Sequence, residues 1–361
     1  MIVKATRLCN LRCSYCHDWS AEPGSTMRFP VLLAMTRAAL TDPTHQSVEF
    51  IWHGGETTLL PVDFYRRAIV VQYRLRRPGQ LVRNVLQTNG TRLTPEWVRF
   101  FLDYEVNVGI SLDGPPQVHD RHRRDRSGTG SFEQVLTGLQ LLREYDVPHG
   151  VLMVIGEEAL TMGAQAVFDT FVQLGVRNYG LIEVKPDNQP GATPETAHGP
   201  YFGQARMTAF LCDYYDCWLA HGDDGIVVRE LRSVEGRLRG GSPGTCKLGG
   251  PCLGQYYLIE PSGEVAHCDL FKGDPSWTLG SVMSDSFADI RASDRMRALR
   301  EEDARQRAQM SAQCVDFEVC QGYCPHERYL SRQNNPQHST RCCGLQPLIE
   351  HVRQRMATSD A

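Results

Sequence analysis

From residue 2 to about residue 182, short apolar runs alternate with longer stretches in which apolar positions recur every three to four residues. The short runs predict six strands, at Ile2 to Thr6, Ser47 to Trp52, Arg83 to Thr88, Val106 to Leu112, Pro148 to Val154 and Asn178 to Ile182. The helical-period segments between them predict helices at Arg28 to Leu40, Val62 to Leu75, Pro95 to Asp103, Ser131 to Tyr145 and Thr161 to Leu174. Strand and helix in repetition make a parallel sheet of an α/β fold, and six units suit a partial (β/α)6 TIM-like barrel, open on one side, better than a closed eight-fold one.

The pattern breaks between Lys185 and Pro200, where Pro186-Asp187-Asn188-Gln189-Pro190-Gly191-Ala192-Thr193-Pro194 is turn-rich. Two helices are predicted after it, near Tyr201 to His221 and Val227 to Arg239. Past Gly240-Gly241-Ser242-Pro243-Gly244 the periodicity weakens and cysteines become dense; only a hairpin is legible, around Tyr256 to Ile259 and Glu264 to His267. The expected division is therefore a barrel over 1–240, its last part a helical bridge from about 201, and a small, loop-rich, cysteine-rich domain over 241–361 whose thin core needs metal clips.

Composition narrows the choices. Charged residues are 22% of the 361 and the net charge is -4, so nothing calls for a nucleic-acid partner or an anionic membrane. No stretch approaches the roughly 18 consecutive apolar residues of a membrane helix, and the N-terminus lacks a signal-peptide pattern, so a cytoplasmic location is expected. In that reducing compartment thirteen cysteines in a chain of this size point to metal or cluster ligation rather than to disulfides. Cys212 and Cys217, five apart on a predicted helix, read instead as small buried hydrophobes.

The distinctive motifs fall at or just after the ends of strands, where ligands bind in barrels and open parallel sheets. After the first strand comes Cys9-Asn10-Leu11-Arg12-Cys13-Ser14-Tyr15-Cys16, then His53-Gly54-Gly55-Glu56, Thr88-Asn89-Gly90-Thr91 and Ser111-Leu112-Asp113-Gly114. Three thiolates on one short loop leave one iron of a 4Fe-4S cluster without a protein ligand. Cys-x3-Cys-x2-Cys resembles the signature of the radical SAM superfamily. The resemblance implies that the open iron is chelated by S-adenosylmethionine, which electron transfer cleaves to a 5′-deoxyadenosyl radical.

The same resemblance assigns further residues. Tyr15 matches the aromatic whose backbone lies against the adenine. Gly54, Gly55 and Glu56 match the motif that receives the methionine amino group, with Thr57 where proline is usual. Ser111 and Asp113, followed by a basic run and Gly128-Thr129-Gly130-Ser131-Phe132, are similar to the strand-four region of family members that carry a SPASM domain; there a serine and an arginine hold the methionine carboxylate. Arg123 is the match for that arginine, with Arg121, Arg124 and Arg126 equally near in sequence. Gln87 and Asn89 end the third strand on the same side and are candidate contacts to cofactor or substrate, while His17-Asp18-Trp19 lies beside the cluster loop, with Trp19 expected to pack over it.

Cys246-x5-Cys252-x15-Cys268, Cys314-x5-Cys320-x3-Cys324 and Cys342-Cys343 resemble the SPASM domain in order and spacing. By that resemblance Cys246, Cys252, Cys268 and Cys324 ligate a first auxiliary 4Fe-4S cluster, and Cys314, Cys320 and Cys342 a second. Where the family has one more cysteine this chain has Ser311. The last corner then falls to Cys343, to Ser311 or to no protein group, or the cluster is absent; strain between neighbouring cysteines favours the open or serine-ligated site. A pair of zinc sites is the alternative for the whole region. Asp269 aligns with the aspartate of a Cys-Asp pair in the sulfatase-maturing branch, where it serves as base toward the substrate; a hydrogen-bonded group beside a cluster is its structural alternative.

Together these features identify the chain as resembling radical SAM maturases of peptides or proteins. The favoured expectation is a maturase of a ribosomally made precursor peptide that forms a carbon-carbon, ether or thioether crosslink, reduced by a donor such as flavodoxin or ferredoxin. With the first strand starting at residue 2, leader capture would fall to the sheet mouth, the Lys185 to Pro200 loop or a separate protein. The alternatives are an anaerobic sulfatase-maturing, formylglycine-forming enzyme and, from another class, an iron-sulfur electron-transfer or scaffold protein without turnover.

Overall fold

The computed structural model describes residues 1–16, 18–185, 203–271, 274–335 and 338–359. The expectations that fall on His17 and on 186–202 lie outside the described residues. All six predicted strands are present: β1 (Ile2–Thr6), β2 (Ser47–Gly54), β3 (Leu81–Thr88), β4 (Asn107–Ser111), β5 (His149–Ile155) and β6 (Asn178–Glu183). They lie side by side in chain order, all parallel.

The helices that cross between them are α1 (Phe29–Thr41), α2 (Val62–Leu75), α3 (Pro95–Asp103), α4 (Pro116–His122), α5 (Phe132–Glu144), α6 (Glu157–Met162) and α7 (Ala164–Gln173). The single helix expected over Thr161 to Leu174 is two, broken at Gly163, whose φ of +90° ends one turn and starts the next. Its apolar period runs straight through the break, which is why the sequence hides it. α4 leaves no apolar period in the sequence because only Val118 and His119 of its seven residues are buried.

After α8 (Gln204–His221) a two-residue strand, β7 (Val227–Val228), extends the sheet past β6 before α9 (Arg229–Leu238) begins. At the other edge β8 (Leu258–Ile259) pairs in parallel with β1 and carries β9 (Glu264–Ala266) and β10 (Thr278–Ser281) as an antiparallel extension. One ten-stranded sheet thus runs through both halves. Strands of two residues are too short to leave an alternation in the sequence.

The cysteine-rich half is more helical than expected. It contains α10 (Phe287–Ala292), α11 (Asp294–Ser311), α12 (Phe317–Cys320), α13 (Pro325–Asn334) and α14 (Gln346–Ser359). α11 shows no apolar stripe, since only Met296, Asp303 and Met310 are buried, and it is fixed instead by the Ser293 N-cap and by the buried Asp303 to Arg328 ion pair. α14 packs on α8 and α9 through Leu348, Ile349 and Val352.

Alternation builds the core. Val48, Phe50 and Trp52 of β2 point inward, and α2 and α3 cover them with Tyr65, Trp97, Phe100 and Phe101, the rings meeting edge-on or tilted at separations of 5.4–6.2 Å. Burial of side chains this large contributes about 1.5–3 kcal/mol each. Cys212 and Cys217 are half-buried against the same core. Among the described residues no helix is long and apolar enough to cross a membrane.

Candidate functional site

The loop carrying Cys9, Cys13 and Cys16 leaves β1 at the carboxyl end of the sheet and is stitched to its neighbours by main chain. Gly55 N donates to Thr6 O at 2.8 Å and Glu56 N to Leu8 O at 2.7 Å; on the other side Arg12 N reaches Arg124 O at 2.6 Å and Ser14 N reaches His122 O at 3.1 Å. The two glycines are required by this closeness. A Cβ at Gly54 would stand 2.3 Å from Thr6 O, and one at Gly55 2.1 Å from Leu8 O. The approach they allow is to the cysteine loop itself. Asn89 Nδ2 donates to Asn10 Oδ1 at 3.0 Å, and Asn10 Nδ2 to Thr91 Oγ1 at 2.9 Å, so the end of β3 holds the loop as well.

Backbone amides point at two of the sulfurs, Leu11 N to Cys9 Sγ at 3.4 Å and Asp18 N to Cys16 Sγ at 3.3 Å. Burial raises the Cys9 and Cys13 thiols to about 12 each; Cys16 adds to both and Cys9 to Cys13. Without a metal they stay protonated; iron supplies the positive charge that releases the protons. Three buried thiols on one loop, with amides aimed at sulfur, fit three corners of a 4Fe-4S cluster. Arg12 stacks its guanidinium 3.8 Å over Trp19, which packs across the loop.

The residues matched to S-adenosylmethionine binding form a polar network next to that loop. Glu56, 1% exposed, accepts from Thr58 N at 2.9 Å, Thr58 Oγ1 at 2.6 Å, Thr88 Oγ1 at 2.5 Å and Asn89 N at 2.8 Å. Its carboxylate clamps the ends of β2 and β3 together. Gln87 Nε2 donates to Ser111 Oγ at 3.0 Å. Asp113 takes a two-point ion pair from Arg123 at 2.8 and 3.0 Å, Val154 N at 3.0 Å and the Tyr15 hydroxyl. Burial pushes the Asp113 carboxyl up, but Arg123 prevails and holds it below the usual range. Of the four neighbouring arginines only Arg123 is buried. It also faces the Tyr15 ring at 5.6 Å.

Sequence reasoning missed a quartet at the mouth of the sheet. Lys4, in the middle of β1 and 0% exposed, places its ammonium 2.8 Å from Asp18 Oδ2, 2.6 Å from Asp269 Oδ1 and 3.0 Å from His53 Nδ1. The ligand atoms of those three partners lie within 4.8 Å of one another, a spacing that suits a metal ion, but the cation here is lysine. Burial pushes Lys4 down, yet the two carboxylates outweigh it and raise it. For Asp269 burial pushes up and Lys4 more than reverses it, so the carboxylate is ionised. Burial and Lys4 both lower His53, which is neutral; its Nδ1 faces Lys4 Nζ and Gly54 N, leaving its proton on Nε2. Asp269 Oδ1 is buried, and despite the Lys4 contact no aligned hydrogen-bond donor satisfies it among the described residues. The one available signal was a lysine inside an otherwise apolar strand.

Cys246, Cys252, Cys268 and Cys324 converge: the Cys246 and Cys324 thiols raise the pKa of Cys252 and Cys268, and Cys246 raises that of Cys324. Burial is the larger cause and takes Cys252 to about 12 and Cys324 to about 11. Beside Cys324 a second unforeseen network joins Lys247 to Glu327 at 3.2 Å and Lys185 to Glu327 at 2.5 Å. In the remaining set Cys342 touches Cys314, while Ser311 is the exposed last residue of α11. Two groups of soft thiolates suit iron-sulfur clusters in chemistry and number.

Residues 3–160 match the Radical SAM superfamily, and residues 251–321 match the SPASM iron-sulfur cluster-binding domain. The chain is 26% identical, over 99% of its own length and 89% of the relative's, to a serine-type anaerobic sulfatase-maturating enzyme of Bacteroides thetaiotaomicron. It is 28% identical, over 80% of its length and 78% of the relative's, to a cysteine-type enzyme of Clostridium novyi. Among solved structures, native anSMEcpe with bound AdoMet and the Kp18Cys peptide superposes with a TM-score of 0.84 at 22% identity, covering 99% of this chain and 98% of that one.

Proposed function

We propose, for a chain that is a radical SAM enzyme with a SPASM domain, that it oxidises a serine or cysteine side chain of a sulfatase-like protein to formylglycine. The crosslinking reading favoured by the sequence gives way here, because the full-length relatives are anaerobic sulfatase-maturating enzymes of both serine and cysteine type. The observation that carries the proposal is Asp269: an ionised carboxylate at the mouth of the sheet, paired with Lys4, with a buried oxygen that no aligned donor satisfies among the described residues.

When bound, S-adenosylmethionine and the open cluster supply a carbon-centred radical oxidant, and the SPASM clusters an electron acceptor, with an external donor such as flavodoxin or ferredoxin supplying the reducing electron. This chain's residues then set geometry and protons. Glu56, Asn89 and the Asp113 to Arg123 pair hold the loops that cradle the cofactor. Asp269 takes the proton from the substrate hydroxyl or thiol as a hydrogen atom leaves the neighbouring carbon. Loss of one hydrogen atom, one proton (to Asp269) and one electron would turn the serine side chain into the aldehyde; from cysteine it would give the thioaldehyde, which water would hydrolyse to formylglycine with release of hydrogen sulfide. Lys4 keeps Asp269 charged until the substrate arrives, and neutral His53, with its proton on Nε2, offers a hydrogen bond to the incoming oxygen or sulfur.

Anaerobically reconstituted protein, given reductant, S-adenosylmethionine and a peptide carrying the serine or cysteine of a sulfatase active site, should yield a product that reacts with a hydrazide. Loss of two hydrogens without aldehyde reactivity would return the crosslinking reading. Asp269→Asn should cut aldehyde formation by roughly 10²–10⁴-fold, the usual contribution of a positioned base. Release of 5′-deoxyadenosine should persist in that variant, and product yield within tenfold of the parent would remove Asp269 from the chemistry.

A further inference from the structure

The SPASM pattern leaves the second auxiliary cluster one thiolate short in this chain, because Ser311 stands where a cysteine is usual. Ser311 closes α11 and is exposed, and a hydroxyl is a poor partner for iron beside soft thiolates. Cys343 lies elsewhere: its thiol sits beside those of Cys320 and Cys342, and Cys342 in turn beside Cys314. Four sulfurs from three separate segments therefore meet, two from the turn after α11 and α12 and two from the loop before α14.

Neighbouring cysteines usually aim their side chains apart, so a pair that converges needs help from the backbone. Gly344 supplies it. Its φ of +89° turns the chain at once, its N–H donates to Cys342 Sγ at 3.4 Å, and a Cβ there would stand 2.7 Å from Gln204 Cγ. Leu345, 2% exposed, then pins the turn as α14 begins. Cys320 is likewise 2% exposed, and Cys343 packs half-buried beside the core. Thiol-to-thiol contacts alone are weak, and nothing else among the described residues offers these sulfurs a strong acceptor.

We propose that Cys343 is the fourth ligand of the second auxiliary cluster, closing it with Cys314, Cys320 and Cys342 in place of a ligand at Ser311. Such a cluster has no vacant iron, so it passes electrons without binding substrate. The inference rests on the SPASM assignment and is independent of which side chain the enzyme oxidises.

The test is metal content and spectroscopy on anaerobically purified full-length protein, with no turnover needed. The parent and Ser311→Ala should both carry about twelve irons and matching sulfide, as three 4Fe-4S clusters require. Cys343→Ala, and the closer isostere Cys343→Ser, should fall toward about eight irons or give a Mössbauer and EPR signature that shifts on adding a small thiol, the mark of an exposed iron. Cys212→Ala, also a half-buried thiol near the core, controls for lost packing and should match the parent. The proposal is overturned by parent-like iron and spectra in both Cys343 variants, by a change in Ser311→Ala, by a parent with only about eight irons, or by zinc in this site.

Discussion

The two halves of this chain hold their chemical groups by different means. In the barrel, side chains do the holding: Glu56 accepts four hydrogen bonds across β2 and β3, and Asp113 collects Arg123, Tyr15 and a main-chain amide from β5. In the cysteine-rich half the thiols matched to cluster ligands sit in turns and at the ends of short helices. Cys268 and Tyr323 adopt φ of 58° and 57°, at or beside a cysteine matched to a cluster ligand, while Gln321, at 52°, is the left-handed cap that ends α12. Among the barrel's described residues the two non-glycine ones with positive φ, Glu105 and Asp146, lie just past the ends of α3 and α5, where a left-handed residue is an ordinary helix terminator. Left-handed backbone without glycine costs about 1–2 kcal/mol per residue. In the second half that cost must be offset by metal bonds, whereas the barrel's network is already complete.

Removing iron tests this contrast most severely. Chelation should abolish amide-exchange protection around residues 246–268 and 314–345, while β2, β3 and β5 keep theirs. α14 should also stay protected, since Leu348, Ile349 and Val352 bury it against α8 and α9 without any cysteine. Equal loss of protection in both halves would mean that the shared sheet, with β8 on β1, couples them into one cooperative unit.

A smaller effect is confined to the barrel. Arg123→Gln leaves the Asp113 carboxylate buried without its counter-charge, a change that typically costs about 3–5 kcal/mol. Adding Asp113→Asn should recover much of that loss, because the stranded charge disappears. A barrel melting temperature unmoved by Arg123→Gln would show that the network positions the loops without stabilising them.

The contrast also explains what the sequence made legible. Strands β1 to β6 were readable because buried parallel strands are written as apolar runs, and their ends carried the motifs that named the site. The hairpin of β8 and β9 was legible too, but β7, β10 and α11 were not: these strands are two and four residues long, and α11 is fixed by ion pairs and caps. Among site residues, those in a spaced motif were found and those brought together by folding were not. Lys4, Asp18 and His53 surround Asp269 from three places in the chain, and only the lysine's position within an apolar strand hinted at it. Ser311 was noticed as a missing cysteine, but that Cys343 turns toward Cys320 depends on the fold around Gly344.

The mildest expected effect comes from His119, which opens the basic run after β4 and is fully buried. Its Nδ1 accepts from Asp113 N at 3.2 Å, so the ring proton sits on Nε2 and is shared with Ser131 Oγ at 3.0 Å; Ser131 Oγ in turn donates to Arg123 O at 2.8 Å. Protonation would turn Nδ1 into a donor facing a donor. Burial first, then the Arg123 charge, outweigh Asp113 and Asp120 and lower His119 to about 4. The folded value lies below the unfolded one near 6.5, so the unfolded chain binds the extra proton between them. Stability from the neutral ring is whole above pH 6.5 and is lost as the pH falls toward 4, by about 3 kcal/mol at most. Denaturation of the barrel followed from pH 7 to pH 4.5 should therefore fall more steeply in the parent than in His119→Gln, which cannot take up the proton. Acid loss of clusters affects both proteins alike and cancels in the difference, so parallel curves would mean that His119 titrates freely and that the barrel's network is less closed to water than its geometry implies.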